Sequence, residues 1–268
     1  MSFAVAGLRP GISPDRLPPV TNPQVYARGF ASLTAHTVDP LLNLVRKSRA
    51  PRLLDLGCGT GVVTAAALAL GADVTAVDSD LDMLEYTARA HPHAAVRLAA
   101  LPELPFPDGS FDAVAGNFVI QHAPDTPATL AELHRVLRPG GTLALSWWKR
   151  DEMPATTLPA DAAARAGLSR DPDPPRDFDP YAGPAAFTAL LRKTGFSGGA
   201  VDTIRWRHRV DLATWWDDLT GAAGPRFAFI LDQDAATVEH IRQAYLTLAA
   251  PYAEQGFPVC AHLAHATR

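Results

Sequence analysis

The stretch Leu53 to Gly61, LLDLGCGTG, constrains this chain more than any other. Leu53, Leu54 and Leu56 suit a buried strand, and Gly57, Gly59 and Gly61 let the backbone turn sharply and approach a ligand with no Cβ in the way. Val62 to Leu70 then reads as a helix. Farther on, the apolar run Val74 to Val77 ends in Asp78, an acidic residue placed to accept hydrogen bonds from ribose hydroxyls. Together these point to a nucleotide-cofactor loop. A dinucleotide fingerprint would carry its third glycine where Val62 stands, so the spacing disfavours NAD. A phosphate loop needs Lys followed by Ser or Thr after its last glycine, where this chain has Val62 and Val63.

The segments around this loop alternate. We read strands at 52–56, 73–77, 95–98, 111–116 and 142–148, and helices at 61–70, 80–90 and 126–137, a pattern that implies a parallel sheet covered on both faces. Residues 1–24 hold five prolines and read as an irregular arm. Tyr26 to Arg46 follows as a helix, with Val38, Leu41, Leu42 and Val45 on one face. Residues 149–182 are rich in proline and enclose one alanine-rich helix near 159–167, the pattern of an inserted lid. A helix at 184–194 and strands at 200–210 and 258–266 follow, the strands separated by a helical insert at about 212–256. That insert carries Trp215, Trp216, Phe227, Phe229, Tyr245 and Tyr252. An aromatic stripe at helical spacing is more often core than pocket.

The motifs resemble those of class I S-adenosylmethionine-dependent methyltransferases, in their small-molecule branch (methyltransferase type 11). After the glycine loop and Asp78, LPFPDGSFDAV (Leu104 to Val114) and LRPGGTLALSWW (Leu137 to Trp148) resemble the later family motifs in order, and YAGPAAFTALLRKTGF (Tyr181 to Phe196) resembles the variable C-terminal part. The resemblance implies an α/β fold: a Rossmann-like, doubly wound, mostly parallel seven-stranded sheet ending in an antiparallel hairpin, with a helical lid. The expected division is an arm and helix over 1–50, a cofactor-binding core over 51–150, a lid over 151–182, and completion of the sheet over 183–268.

It also implies S-adenosylmethionine as cofactor, held by Tyr26, Arg28, Asp55, Gly57, Cys58, Gly59, Gly61, Asp78, Ser79, Met83, Ala100, Leu101 and Asn117. Asp55 reads either as a structural carboxylate bonding the glycine-turn amides or as a partner of the cofactor's amino group. Asp80 fits the following helix as N-cap, which leaves Asp78 for ribose. Met83 belongs near the adenine or in the core. Ala100 and Leu101 stand where related chains carry an acid, so the adenine amino group falls to backbone carbonyls or to Glu103, itself a typical solvated loop residue. Tyr26 and Arg28 resemble residues that close over the cofactor, with Arg28 able to pair with its carboxylate. His122 is the candidate general base, with packing as the alternative. Trp147 and Trp148 lie where a ring could face an aromatic substrate, and alternation sends them opposite ways.

The expected activity is methyl transfer to an oxygen or nitrogen of a small aromatic or apolar metabolite. The alternative is a protein of this fold that uses the cofactor for a cyclisation or isomerisation. A net charge of −4 without a long basic run argues against nucleic acid as substrate. No apolar run approaches a membrane span. We expect no metal, a cytoplasmic location, and a monomer or homodimer. The two cysteines, Cys58 and Cys260, suggest no disulfide framework.

Overall fold

The computed structural model describes residues 22–45, 51–168, 174–222 and 227–268. Seven strands form one sheet: β1 (Arg52–Leu56), β2 (Asp73–Asp78), β3 (Ala95–Leu98), β4 (Phe111–Gly116), β5 (Leu137–Trp148), β6 (Ser197–His208) and β7 (Phe257–Thr267), in the order β3-β2-β1-β4-β5-β7-β6. The first five are parallel, and β7 runs antiparallel to both neighbours. This is the Rossmann-like α/β architecture, with the antiparallel end that the resemblance implies. β1 is buried on both faces because it sits mid-sheet with helices above and below, which is why it reads as a continuous apolar run.

On one face, α3 (Val38–Val45) and α4 (Val62–Ala69) pack Leu41, Leu42, Val63 and Ala67 against Leu53, Val74 and Ala113. On the other, α6 (Thr126–Val136) and α8 (Pro184–Lys193) bury Leu130, Leu133, Phe187 and Leu191 against Leu54, Val114 and Leu145. The sheet edge carries α5 (Leu81–Ala90), whose N-cap is Asp80.

Three boundaries differ from the sequence reading. The helix expected over Tyr26 to Arg46 is broken into α1 (Pro23–Arg28), α2 (Phe30–Thr34), a 3₁₀ turn at Ala35–Thr37, and α3. Gly29 closes the first piece, and only the last has the apolar periodicity of a longer helix. Arg46, and the expected arm apart from residues 22–24, lie outside the described residues. β5 begins at Leu137 instead of 142, because Leu137 pairs with Phe111 and the Gly140 amide donates to the Arg268 carbonyl.

The alanine-rich helix α7 starts at Pro154, not 159, and runs to Arg165 with Pro159 inside it. Proline has no amide hydrogen, so the helical bond to the carbonyl of Ala155 cannot form. The Trp215 indole N–H takes that carbonyl at 2.7 Å. α7 is thereby fastened to α9 (Leu212–Ala222), and with α11 (Ala235–Ala249) they enclose a second core of Trp215, Trp216, Phe227, Ile241 and Tyr245. These insert aromatics fill their own core, while Phe229 and Tyr252 pack half-buried at its margin. The four buried rings are thus core, the reading that their helical spacing favours. Replacing Trp215 by Phe leaves the Ala155 carbonyl unmet, and should lower the unfolding free energy by about 1–3 kcal/mol in urea titration. An unchanged midpoint would show that the bond does not hold α7.

Candidate active site

The carboxyl ends of β1, β2 and β4 converge on one edge of the sheet, the position at which open α/β sheets bind ligands. There the chain after β1 turns through Gly57, Gly59 and Gly61 with φ of +66°, +53° and +86°. Its polar groups are spoken for by the neighbouring strand and helix. The Cys58 amide donates to the Val77 carbonyl at 2.9 Å, the Gly59 amide donates to Asp78 Oδ2 at 2.8 Å, and the Thr87 hydroxyl donates to the Gly59 carbonyl at 2.7 Å. Asp78 Oδ1 accepts the Asp80 amide at 3.0 Å. Asp78 therefore both shapes the loop and presents its remaining lone pairs beside it.

Asp55 does not bond the glycine-turn amides, which corrects its structural reading. Its Oδ2 accepts the Thr64 hydroxyl at 2.6 Å, while Oδ1 is buried with no partner among the described residues. Burial pushes its carboxyl up to about 7, opposed by the Thr64 bond and reinforced by the charge of Asp78. Burial also raises the Asp78 carboxyl, opposed by the Asp80 and Gly59 amides. A ligand that brings an ammonium to Asp55 and hydroxyls to Asp78 would relieve both. The cradle between them is open: a Cβ at Gly59 would meet only Tyr26 Cε1, at 3.7 Å. S-adenosylmethionine carries both kinds of donor, so this donor set fits it.

Tyr26 is half-buried over the loop, and burial with the nearby Asp78 charge raises its phenol. Arg28 is turned elsewhere. Its Nε and Nη2 lie 2.7 and 2.5 Å from Asp218 Oδ1, and that carboxylate is 3% exposed against 62% for Arg28. The guanidinium matches a buried charge on α9 and so anchors α1, which corrects its assignment to a cofactor carboxylate. Cys58 points into a small cluster with Ala76 and Leu84, and burial raises its thiol well above the ordinary range. Met83 is buried, Ser79 half-buried and Ala100 exposed, while Leu101 packs on the core. Glu103 is exposed.

Past β4, Asn117 is a clasp. Its Oδ1 lies 2.7 Å from the Thr37 hydroxyl and 2.6 Å from the Ser146 hydroxyl, and its Nδ2 donates to the Thr34 carbonyl at 3.1 Å. It binds the N-terminal helices to the sheet above β4 and β5. Phe118 follows with φ of +57°, a conformation that bulky residues rarely hold and that marks functional loops. Its ring stacks on Trp148 at 3.5 Å and 12°. Phe30 meets the same indole edge-on at 6.3 Å, and Tyr26 lies 5.6 Å from Phe30. An aromatic wall thus runs from the glycine loop to Trp148.

Trp147 takes no part in it. It is fully buried on the opposite face against Phe178 and Phe187, with its indole N–H on the Ala182 carbonyl at 2.9 Å. Its expected place at the substrate is corrected by the alternation of β5. His122 is exposed, in a 3₁₀ turn. Gln121 Oε1 accepts the Trp148 amide at 3.2 Å, and its Nε2 lies 3.4 Å from the Phe118 carbonyl and 3.3 Å from His122 Nε2.

Phe30, Phe118 and Gln121 were not singled out from the sequence, since each acts through residues distant in the chain. Among the described residues no cluster of His, Cys, Asp and Glu is placed to hold a metal, and no helix is long and apolar enough to cross a membrane.

A family model described as a methyltransferase domain matches residues 54–145. An uncharacterised methyltransferase of Mycobacterium tuberculosis is 38% identical over 169 residues, covering 62% of this chain and 64% of its own length. The chain thus spans just under two thirds of that relative. A malonyl-acyl-carrier-protein O-methyltransferase of Serratia marcescens is 34% identical over 116 residues, covering 43% of this chain and 46% of its own. The solved structure of the YcgJ protein of Bacillus subtilis superposes with a TM-score of 0.55 at 18% identity, covering 87% of this chain and 98% of its own, a likeness of fold. Residues 54–145, which carry the glycine loop and most of the parallel part of the sheet described above, thus match a methyltransferase domain.

Proposed function

We propose that the chain binds S-adenosylmethionine across Gly57 to Gly61 and transfers its methyl group to an oxygen or nitrogen of a small aromatic or apolar acceptor lying against Trp148. The observation that carries this reading is the pair of carboxylates, buried Asp55 and half-buried Asp78, beside a glycine turn that is open at Gly59. Asp78 would hold the ribose hydroxyls and Asp55 the ammonium, with Tyr26 covering the loop. When bound, the cofactor supplies an electrophilic sulfonium methyl. The chain's own part is alignment and exclusion of water: Asn117 fixes the N-terminal helices over the strand ends, and Phe30, Phe118 and Trp148 present a dry wall. The relative named for O-methylation favours oxygen as the accepting atom.

Isothermal titration with S-adenosylmethionine and S-adenosylhomocysteine tests the site. Binding by the wild type, weakened at least about ten-fold in Asp78→Ala, is the expected result, the size of one lost hydrogen bond to a charged group. Failure of the wild type to bind either compound would end the reading.

Because His122 is exposed on a turn beside Gln121, His122→Ala should lower turnover by less than about ten-fold, whereas loss of a general base costs about 10²–10⁴. Single-turnover rates at saturating cofactor separate the two, and a loss of a hundred-fold or more would restore His122 as the base.

A further inference from the structure

Beyond Trp148 the aromatic wall continues onto β6, where it holds two polar atoms without a hydrogen-bond partner among the described residues. Ile204, Trp206 and His208 alternate with Arg205 and Arg207 along this strand. Their pairing with Ala261, Val259 and Phe257 puts them on the same sheet face as Trp148, which pairs with Ala261 across β7. The Trp206 ring lies 6.1 Å from Trp148. Trp206 Nε1 and His208 Nε2 are both buried without a hydrogen-bond partner among the described residues. His208 as a whole is 3% exposed. One buried polar atom left unmet costs about 1–3 kcal/mol, and two on one strand face, two positions apart, suit a ligand better than a core.

We propose that Trp206 and His208 are the recognition end of the acceptor pocket, where the indole N–H and imidazole Nε2 bind a neutral polar group of a planar, otherwise apolar acceptor. This deepens the methyl-transfer reading and rests on it. The link to the reacting end is His36. Its ring lies 5.5 Å from Trp206 and 6.1 Å from His208, and it sits next to Thr37, whose hydroxyl contacts Asn117. His36 is exposed, so a change of rotamer can uncover the two atoms on a fast timescale. Behind His208 lies the Trp215 ring, 4.8 Å away, where the second core begins.

The chemistry is that of a neutral group. Burial, reinforced by His36, holds the His208 imidazole down to about 4, so it is uncharged at neutral pH. Arg205 and Arg207 alternate onto the other face. A carboxylate would find no cation there, whereas a carbonyl or amide finds an N–H donor from Trp206 and a donor or acceptor at His208.

The experiment is ligand-detected NMR on protein saturated with S-adenosylhomocysteine, using benzamide, benzoate and ethylbenzene as probes against wild type, Trp206→Phe and His36→Ala. Benzamide should bind best. Trp206→Phe should weaken benzamide about five-fold, the size of one neutral hydrogen bond, and leave ethylbenzene unchanged. His36→Ala, a surface change, should preserve or strengthen benzamide binding. The proposal is overturned if benzamide does not bind, if benzoate binds better, or if Trp206→Phe affects benzamide and ethylbenzene alike. Titration of S-adenosylhomocysteine is run on the same samples. Its failure would sink the cofactor site itself, and its success with any of the other negative results would sink this pocket alone.

Discussion

Gly57→Ala is expected to destabilise the protein by about 2–6 kcal/mol and to weaken cofactor binding by more than about a hundred-fold. Two costs add. The residue holds φ of +66°, where an L side chain is strained by about 1–3 kcal/mol. A Cβ there would also stand 2.5 Å from Val119 Cγ2 and 2.8 Å from its Cβ, an overlap that costs roughly 1–3 kcal/mol in a packed site. Val119 belongs to the turn that carries Asn117 and Phe118, so the displacement would reach the clasp and the aromatic wall together. Gly71 supplies the control. It has φ of +81° with nothing within 4 Å of the added Cβ. Gly71→Ala should therefore show the conformational cost alone, with unchanged cofactor affinity. Equal urea midpoints for the two variants would refute the claim that Val119 requires glycine at 57.

The parts of this molecule that were legible in sequence are those whose physics is local. The glycine turn, Asp78 and the Asp80 cap lie on adjoining segments, and the strands beside them are short apolar runs bounded by turn residues. Pro139-Gly140-Gly141 signals a turn and so shortens β5 in the sequence, while the pairing of Leu137 with Phe111 depends on a strand from another part of the chain. The break of the first helix at Gly29 is a local signal that the apolar periodicity of Val38 to Val45 concealed.

What was not legible is long-range. Arg28 meets Asp218 across 190 residues, and no spacing rule connects them. The Asn117 clasp joins Thr34, Thr37 and Ser146 from separate elements. Trp206 and His208 carry a clue, since Ile204-Arg205-Trp206-Arg207-His208-Arg209 alternates strictly and so sends Ile204, Trp206 and His208 to the face opposite the three arginines. What that face opposes could be learned only from the fold.

On the site proposed above, cofactor affinity should fall about ten-fold for each pH unit below about 7, reaching about a hundred-fold weaker binding at pH 5, because an ammonium placed at Asp55 would displace its proton. The carboxyl is held up to about 7 by burial, and its unpartnered Oδ1 is where the ammonium would lie. Titrating S-adenosylhomocysteine in buffers of different ionisation enthalpy should then show about one proton released per binding event at pH 5 and none well above pH 7. Asp55→Asn should remove that release.

Folding linkage does not mimic the effect. A carboxyl raised in the folded state adds stability that is lost as pH rises from about 4 to about 7. His208, lowered from 6.5 to about 4 by burial and His36, adds stability that is lost as pH falls through nearly the same window. The two oppose each other, so the contribution of these groups to the stability of the cofactor-free protein stays nearly level while affinity falls steeply. A pH-independent affinity with no proton release would show that Asp55 keeps the same charge with and without the cofactor, and would remove it from the ammonium site.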